Sequence, residues 1–475
     1  MTIGGTTGGT NAGSYSATFT PKANYQWEDG TTGAKTVTWS IGKAKPTVAL
    51  DKTELSFTDP GTKSATVAVS RSGDGAVEVK SNNPLVAKGS ISGTTLTVTA
   101  EGKNGAATLT VTVKEGTNYL ESDEVDLVVT VDLPNIYGAT WDGTSTTKWT
   151  RTDNSAEYAD PVPYVAGAST YGSPFDELLP WSGMVRSKDS VAGEVVAIPK
   201  FWYSLTQTGS NLCIRIADKQ VDGFVVSLAH MNRGDGKGER DVVYAGRYHC
   251  DSNYKSTTGA SPKVSATRSA FRSGIHALGS TIYQSDWAMI FTEWLLYIVE
   301  FADWDSQTTI GYGCSTSSAI MTMGYTDSMP YHTGTTAADR TTYGGTQYRN
   351  IEGLWDNVYD WVDGCYYNGN GLNIILNPNN FSDTGNGTCA GTLTSGWPSA
   401  FKVTTAGGFP LFMPSASSGS ATTYSCDFWY FGSSSPCLCR GGSYSQNTGH
   451  GLFFVNYSSA SYSSGNIGSR LQILP

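Results

Sequence analysis

The 475-residue chain is expected to be multidomain, with all-β sandwich modules followed by one large α+β domain. Three observations predict this. The first 132 or so residues hold short stretches of period-two alternation, separated by Gly-, Asp- and Asn-rich turns. From Trp141 onward the composition turns aromatic, and most of the 13 tryptophans lie there. Two helical patterns, Arg268 to Leu278 and Trp287 to Trp304, occur only in this second part. The length fits about three domains at roughly 100–200 residues each.

Composition narrows the function classes. Charged residues make up 15% of the chain and the formal charge is −10, against about 25% charged for an ordinary globular protein. There is no basic run, so the chain lacks the clustered Lys and Arg of a nucleic-acid footprint. Met1 to Thr10 has neither the basic start nor the apolar stretch of a secretory signal. The longest apolar run, Trp287 to Trp304, is interrupted by Glu293, Glu300 and Asp303. A bilayer span needs about 20 mostly apolar residues, so this run is expected to be a soluble helix. Eight cysteines occur, none before Cys213, and no CxxC pair is present. Reduced, mostly buried thiols are expected.

Residues 1–45 read as a partial Ig-like β module. Ser14 to Phe19 and Lys35 to Ile41 alternate with period two around the Glu28-Asp29-Gly30 turn. Residues 46–132 offer seven short strands: 47–50, 54–57, 64–69, 76–80, 95–99, 107–113 and 125–131. Seven strands in about 90 residues without a cysteine match the immunoglobulin-like sandwich pattern. Together with the phrases Ser81 to Ala87 and Gly105 to Val113, the segment resembles bacterial Ig-like modules. That resemblance implies a spacer, with a binding module as the alternative.

Asp132-Leu133-Pro134 marks the boundary of a domain spanning 133–475. In the longer helical pattern Trp287, Phe291, Trp294, Leu295, Ile298 and Phe301 recur at core-facing spacing. The end of the chain is poor in charge. From Gly371 to Pro475 only Asp383, Lys402, Asp427, Arg440 and Arg470 are charged, and Tyr424 to Ser464 holds 11 Ser and 5 Tyr. Phe428, Trp429, Phe431, Leu452, Phe453, Phe454, Ile467 and Leu471 supply enough apolar material for a folded segment, although a low-complexity tail is the alternative.

No G-x-S-x-G, H-E-x-x-H or P-loop is present. Gly234 to Gly238 is Gly-rich but precedes a strand pattern, so a surface hairpin is expected. Arg233-Gly234-Asp235 spells a cell-adhesion tripeptide that arises easily by chance. His230, His249, His276, His332 and His450 do not cluster. The carboxylate pairs Asp176/Glu177 and Asp303/Asp305 could do acid–base work, but a solvated loop and a helix end are the simpler readings.

Three phrases carry a resemblance: Asn350 to Gly364, Cys439 to Tyr444 and Gly465 to Leu471. In order and spacing they resemble the "G-N-V-W-E-W … R-G-G-S-W … G-F-R" series of the formylglycine-generating-enzyme type of C-type lectin fold. The resemblance implies a C-type lectin-type domain over 133–475. Members that are enzymes hold a copper-binding cysteine pair just after the G-G-S phrase. Here that stretch, Ser445 to Phe454, has no cysteine, and Cys437 and Cys439 precede the phrase. The thiolates that bind copper are therefore not in place. No catalytic residues and no cofactor are expected, with a structural calcium on Asn357 and Asp360 as the weak exception the resemblance implies.

The residues that replace the cysteines are similar to the variable proteins of diversity-generating retroelements, which use the same lectin-type fold. In that family an Asn codon randomised at its adenines yields Tyr, Ser, Asn, Thr, Gly, Phe, His or Asp but never a stop. Tyr444, Ser445, Asn447, Thr448, Gly449, Phe454, Asn456, Tyr457, Ser458, Tyr462, Ser463 and Ser464 fit that set, as do Phe428, Tyr430, Gly432 and Ser433 around Trp429 and Phe431. These sixteen are the expected ligand-binding residues, with side chains facing solvent. Trp355, Trp361, Gly441, Gly442, Gln446, Gly451, Leu452, Asn466, Ile467, Gly468 and Arg470 are expected to form the framework. Tyr gives contact area with few torsions to freeze, while Ser, Asn and Gly give adaptable hydrogen bonds.

The resemblance implies a non-enzymatic receptor-binding protein at a phage or prophage tail tip. Its partners would be a bacterial surface protein or glycan and other tail components, with neither nucleic acid nor a membrane span involved. A homotrimer would add avidity. A bacterial cell-surface adhesin is one alternative, and an oxidoreductase using relocated cysteines is another.

Overall fold

In a computed structural model the chain is mostly β, built from several small sheets. The structure describes residues 1–475 except 315–316, 370, 386, 393–394 and 432–435. Two compact units divide it, Met1–Pro134 and Asn135–Pro475.

The first unit begins with an antiparallel sheet of β1 (Thr2–Gly5), β2 (Gly13–Thr20) and β3 (Lys35–Ile41). Its register sets Ile3 beside Phe19, Ala17 beside Val37 and Tyr15 beside Trp39. Alternation therefore collects the apolar side chains on one face. Of these only Ala17 is buried, and Tyr15 stacks on Trp39 at 4.6 Å.

Eight further strands form a two-sheet sandwich. They are β4 (Val48–Leu50), β5 (Glu54–Phe57), β6 (Ser64–Arg71), β7 (Val77–Ser81), β8 (Ala87–Ser92), β9 (Thr95–Ala100), β10 (Gly105–Val113) and β11 (Val125–Val131). One sheet runs β5-β11-β10-β7 and the other β4-β6-β9-β8. Leu96, Val98, Leu109, Val111, Leu127 and Val129 fill the space between them. The sequence pattern gives seven strands and misses β8. Its Ala-Lys-Gly-Ser-Ile-Ser run has one β-branched residue and a weak alternation, and its pairing with β9 through the Gly93 turn makes it a strand.

The second unit is organised around one helix. α1 (Arg268–His276) is capped by Thr267, whose side chain accepts from the Ala270 N–H at 3.2 Å. α2 (Trp287–Phe301) is capped by Asp286 and ends at Ala302 in the left-handed region. The apolar stripe expected on α2 faces the core, and burial extends beyond it: all fifteen residues are buried. A helix covered on every side belongs inside a core. Glu293 and Glu300, which interrupt the apolar run in the sequence, pair with buried Arg440 and Arg349. Trp294 stacks on Phe412, and Trp304 stacks on Phe401 at 4.9 Å. α3 (Ser306–Thr309) follows, with Asp305 accepting from the Thr308 N–H at 2.9 Å.

Two five-stranded sheets flank this core. One contains Ile136–Trp141 and Asn211–Ala217, the other Gly193–Pro199 and Leu471–Ile473. A four-stranded sheet orders Val455–Ser458, Cys437–Arg440, Tyr359–Val362 and Ile467–Ser469. Every strand of that last sheet comes from one of the matching phrases or the Ser/Tyr-rich segment, so the end of the chain is folded. Among the described residues no helix is long and apolar enough to cross a membrane.

Candidate ligand-binding face

The four-stranded sheet sets the geometry. Cys439 lies opposite Asn456, Leu438 opposite Tyr457 and Cys437 opposite Ser458. Successive side chains on Val455–Ser458 point to opposite faces, so Asn456 and Ser458 are half-buried while Val455 and Tyr457 are buried. Residues 428–430 run alongside: the Tyr430 N–H donates to the Val455 carbonyl at 2.8 Å, and the Val455 N–H to the Phe428 carbonyl at 3.2 Å. Trp429 turns inward against Trp287 and Trp294, leaving Phe428 half-buried and Tyr430 52% exposed.

The hairpin loop from Gly441 to Phe454 is held by its backbone. The Asp427 carboxylate accepts from the Gly451 N–H at 2.6 Å and the Phe453 N–H at 2.9 Å. Ser306 Oγ accepts from the Leu452 N–H, and Gln307 Oε1 from the Gly449 N–H, both at 2.9 Å. Burial pushes the Asp427 carboxyl up to about 8, against the pull of its two N–H donors. Gly441 has φ +69°, and a side chain there would meet the Leu354 carbonyl at 2.5 Å. Only glycine fits that approach.

Between loop and strand lies a cleft of about 270 Å³. Tyr359, Phe428, Tyr430 and Phe454 line it with aromatic surface, and Gln446, His450 and Asn456 add polar groups. The Phe428 and Tyr430 rings stack at 6.4 Å. His450 lies 4.4 Å from the Phe454 ring, and burial lowers its pKa, which favours the neutral imidazole. None of the seven carries a formal charge at neutral pH.

Of the sixteen expected ligand-binding residues, the cleft brings together Phe428, Tyr430, Phe454 and Asn456. Tyr444 and Ser458 are half-buried, and Ser445, Asn447 and Thr448 are exposed on the loop or strand. Tyr462 and Ser463 are exposed and Ser464 half-buried on the crossover 459–466, apart from the cleft-lining residues. Gly432 and Ser433 lie outside the described residues.

Three positions do not face solvent as expected. Tyr457 points inward by strand alternation and stacks on Phe431 at 5.2 Å. Phe454 is buried against Tyr359 and reaches the cleft as its wall. Gly449 has φ +84°, and a side chain there would lie 2.2 Å from Trp397.

Most framework positions are buried. Trp355 donates to the Gly311 carbonyl at 3.0 Å and Trp361 to the Ala266 carbonyl at 3.1 Å. Arg470 donates to the carbonyls of Gly246, Arg247 and Glu352 at 2.7–2.8 Å. Gly442, Gly451, Leu452, Ile467 and Gly468 are buried. Asn466 is half-buried and accepts from Ser464 Oγ at 2.6 Å. Gln446 differs from expectation by lining the cleft. Sequence reasoning also missed Tyr359, His450, Asp427 and Gln307. His450 and Asp427 carried a signal, since both lie in the Ser/Tyr-rich segment and both residue types belong to the set reachable from a randomised Asn codon.

The other candidates are occupied by protein partners. Asn357 exchanges hydrogen bonds with the Met321 backbone at 2.8 and 3.0 Å. Asp360 accepts from His249 at 2.9 Å and lies 3.4 Å from Arg470; against burial, His249 and then Arg470 hold its carboxyl far below the usual range. Asp176 is a half-buried turn residue with protein partners: Tyr331, His332 and Arg349 all reach it within 3.0 Å. Asp303 pairs with Lys148 at 2.8 Å. Arg233 pairs with Asp286 and Asp235 with Arg240, all four with nearly inaccessible side chains, so the adhesion tripeptide is not presented. Cys437 and Cys439 are buried free thiols; burial raises both, Cys437 to about 12.

No family model and no curated protein matches the chain. Two solved structures are similar to parts of it. Surface layer protein SbsC, domains 1-6, is 18% identical over 45% of this chain and 29% of its own length, with a TM-score of 0.16. The Escherichia coli adhesin FdeC is 14% identical over 45% of this chain and 73% of its own, also with a TM-score of 0.16. The chain therefore spans less than a third of the SbsC structure, and at these TM-scores neither likeness defines the fold or the binding face.

Proposed function

We propose that this chain is a non-enzymatic surface-binding protein whose second unit is a C-type lectin-type domain and whose first unit is an Ig-like spacer. The observation that carries the reading is the uncharged aromatic cleft beside a loop fixed by its backbone. A face of this kind offers contact area and adaptable hydrogen bonds with little desolvation of charge. Its site is a phage or prophage tail tip, its target a bacterial surface molecule, and its diversification the work of a retroelement. The adenine-compatible residues support the last point.

Two experiments test this reading. Capture of bacterial cells by the purified chain should fall when Tyr430 and Asn456 are both replaced by alanine, with the melting temperature unchanged. Unchanged capture would remove the cleft from the reading. Sequencing the gene's locus should reveal a reverse transcriptase and a template repeat differing only at adenines. A locus with neither leaves a cell-surface adhesin as the standing alternative. The oxidoreductase alternative requires reactive thiolates, and the raised, buried Cys437 and Cys439 speak against it. Copper binding that disappears in Cys437→Ser would restore it.

A further inference from the structure

We infer that the cleft takes the ring of a neutral saccharide, stacked on Tyr430 and hydrogen-bonded by Asn456 and Gln446. This rests on the surface-binding reading above and names the ligand class for the same face.

Four observations converge. Tyr430 is the cleft's most exposed aromatic group, 52% accessible, and its ring is stacked on Phe428. A half-open aromatic shelf suits the C–H-lined face of a pyranose, a flat surface with apolar hydrogens and no charge. The polar groups lining the cleft besides the tyrosine hydroxyls are two side-chain amides and one imidazole. Gln446 offers a donor and an acceptor at once, as hydroxyl groups do, while Asn456, whose Oδ1 accepts from the Tyr457 N–H at 2.7 Å, offers its amide N–H donors. Carboxylates, phosphates and sulfates would call for Arg or Lys, and among the described residues neither lines the cleft.

Size and edge chemistry separate the sugar from a peptide. The cleft holds about 270 Å³, below the roughly 300–1,000 Å³ of sites that engulf drug-sized ligands. That is room for one ring or a chain end. An extended peptide would bind by adding a strand. Beside Val455 that edge is already taken by residues 428–430 through the Tyr430 and Val455 backbone bonds.

The test uses the full chain and an immobilised panel of neutral oligosaccharides ending in glucose, galactose, mannose or an N-acetylhexosamine. A sulfated oligosaccharide serves as the charged control. We expect saturable binding to at least one neutral member and none to the sulfated one. Tyr430→Ala should weaken that binding about tenfold or more, and Asn456→Ala should weaken it as well. Tyr343→Ala, an exposed tyrosine outside the cleft, should bind like the parent. Melting temperatures of all variants report folding. Binding that survives Tyr430→Ala unchanged overturns the assignment. A panel with no neutral binder also overturns the saccharide class. If cell capture in that case still depends on Tyr430 and Asn456, the surface-binding reading stands without it; if it does not, both fall.

Discussion

Replacing Arg440 with Met would test the central electrostatic argument of the second unit. The Arg440 guanidinium donates from Nη1 to Glu293 Oε2, and both side chains are almost wholly inaccessible. Among the described residues, Arg440 Nε and Nη2 and Glu293 Oε1 have no hydrogen-bond partner. Arg440→Met therefore leaves the middle of α2 with an isolated buried carboxylate. Breaking a buried pair from one side costs about 3–5 kcal/mol, whereas replacing both partners with apolar residues of similar volume is often neutral or stabilising. Arg440→Met should lose about 3–5 kcal/mol in urea unfolding followed by tryptophan fluorescence, and Glu293→Leu/Arg440→Met should recover most of that loss. The coupling between the two changes should exceed about 2 kcal/mol, beyond the few tenths of independent sites. A single variant that loses under about 1 kcal/mol, or a double variant as weak as the sum of its parts, would refute the claim that this pair is desolvated.

Three further outcomes are expected. His230 is buried, its rings of contacts filled by Ser227 and the Ile198 carbonyl, and burial lowers its pKa to about 4. The unfolded chain binds a proton there below about 6.5 and the folded chain does not, so stability falls as pH drops from about 6.5 to 4, by about 3 kcal/mol in total. Urea midpoints at pH 7, 6, 5 and 4 should fall, and the His230 ring protons should show no titration above pH 5. Tyr457→Ser should destabilise by about 3–5 kcal/mol, as truncation of a buried aromatic does, while Tyr444→Ser should change the melting temperature little; equal effects would mean the strand's alternation is misread. Asp427→Ala removes the acceptor for two buried N–H groups, at about 1–3 kcal/mol each, and hydrogen exchange at Gly451 and Phe453 should accelerate while exchange in β10 does not.

Much of the fold can be read from the sequence because local patterns dictate it. Thr-Leu-Thr-Val-Thr-Val alternation makes a strand such as β10 in any context that covers one face. Asp286 before an apolar run announces the start of α2. What surrounds α2 is not readable, because the cations that neutralise Glu293 and Glu300 come from 147 and 49 residues further along the chain. The candidate face divides the same way. Inward Trp429 between outward Phe428 and Tyr430 follows from period two. Tyr457 between Asn456 and Ser458 follows the same rule, but composition alone puts all three in one set, and only the register with Leu438 separates them. Asp427 and Gln307 act on backbone groups, and nothing in the loop's own sequence advertises an acceptor elsewhere.

The hold that Asp427, Ser306 and Gln307 exert on the 441–454 loop has a consequence for how such a surface can change. They grip amide hydrogens, which every amino acid except proline supplies. The contour of the loop is thus written in backbone amides and in the glycines at 441 and 449, while its chemistry is written in side chains at Tyr444, Ser445, Asn447 and Thr448, which none of these four bonds touches. Shape and vocabulary are separable here. A replacement at those four positions rewords the surface without redrawing it, whereas proline at Gly449, Gly451, Leu452 or Phe453 would erase a grip and collapse the outline.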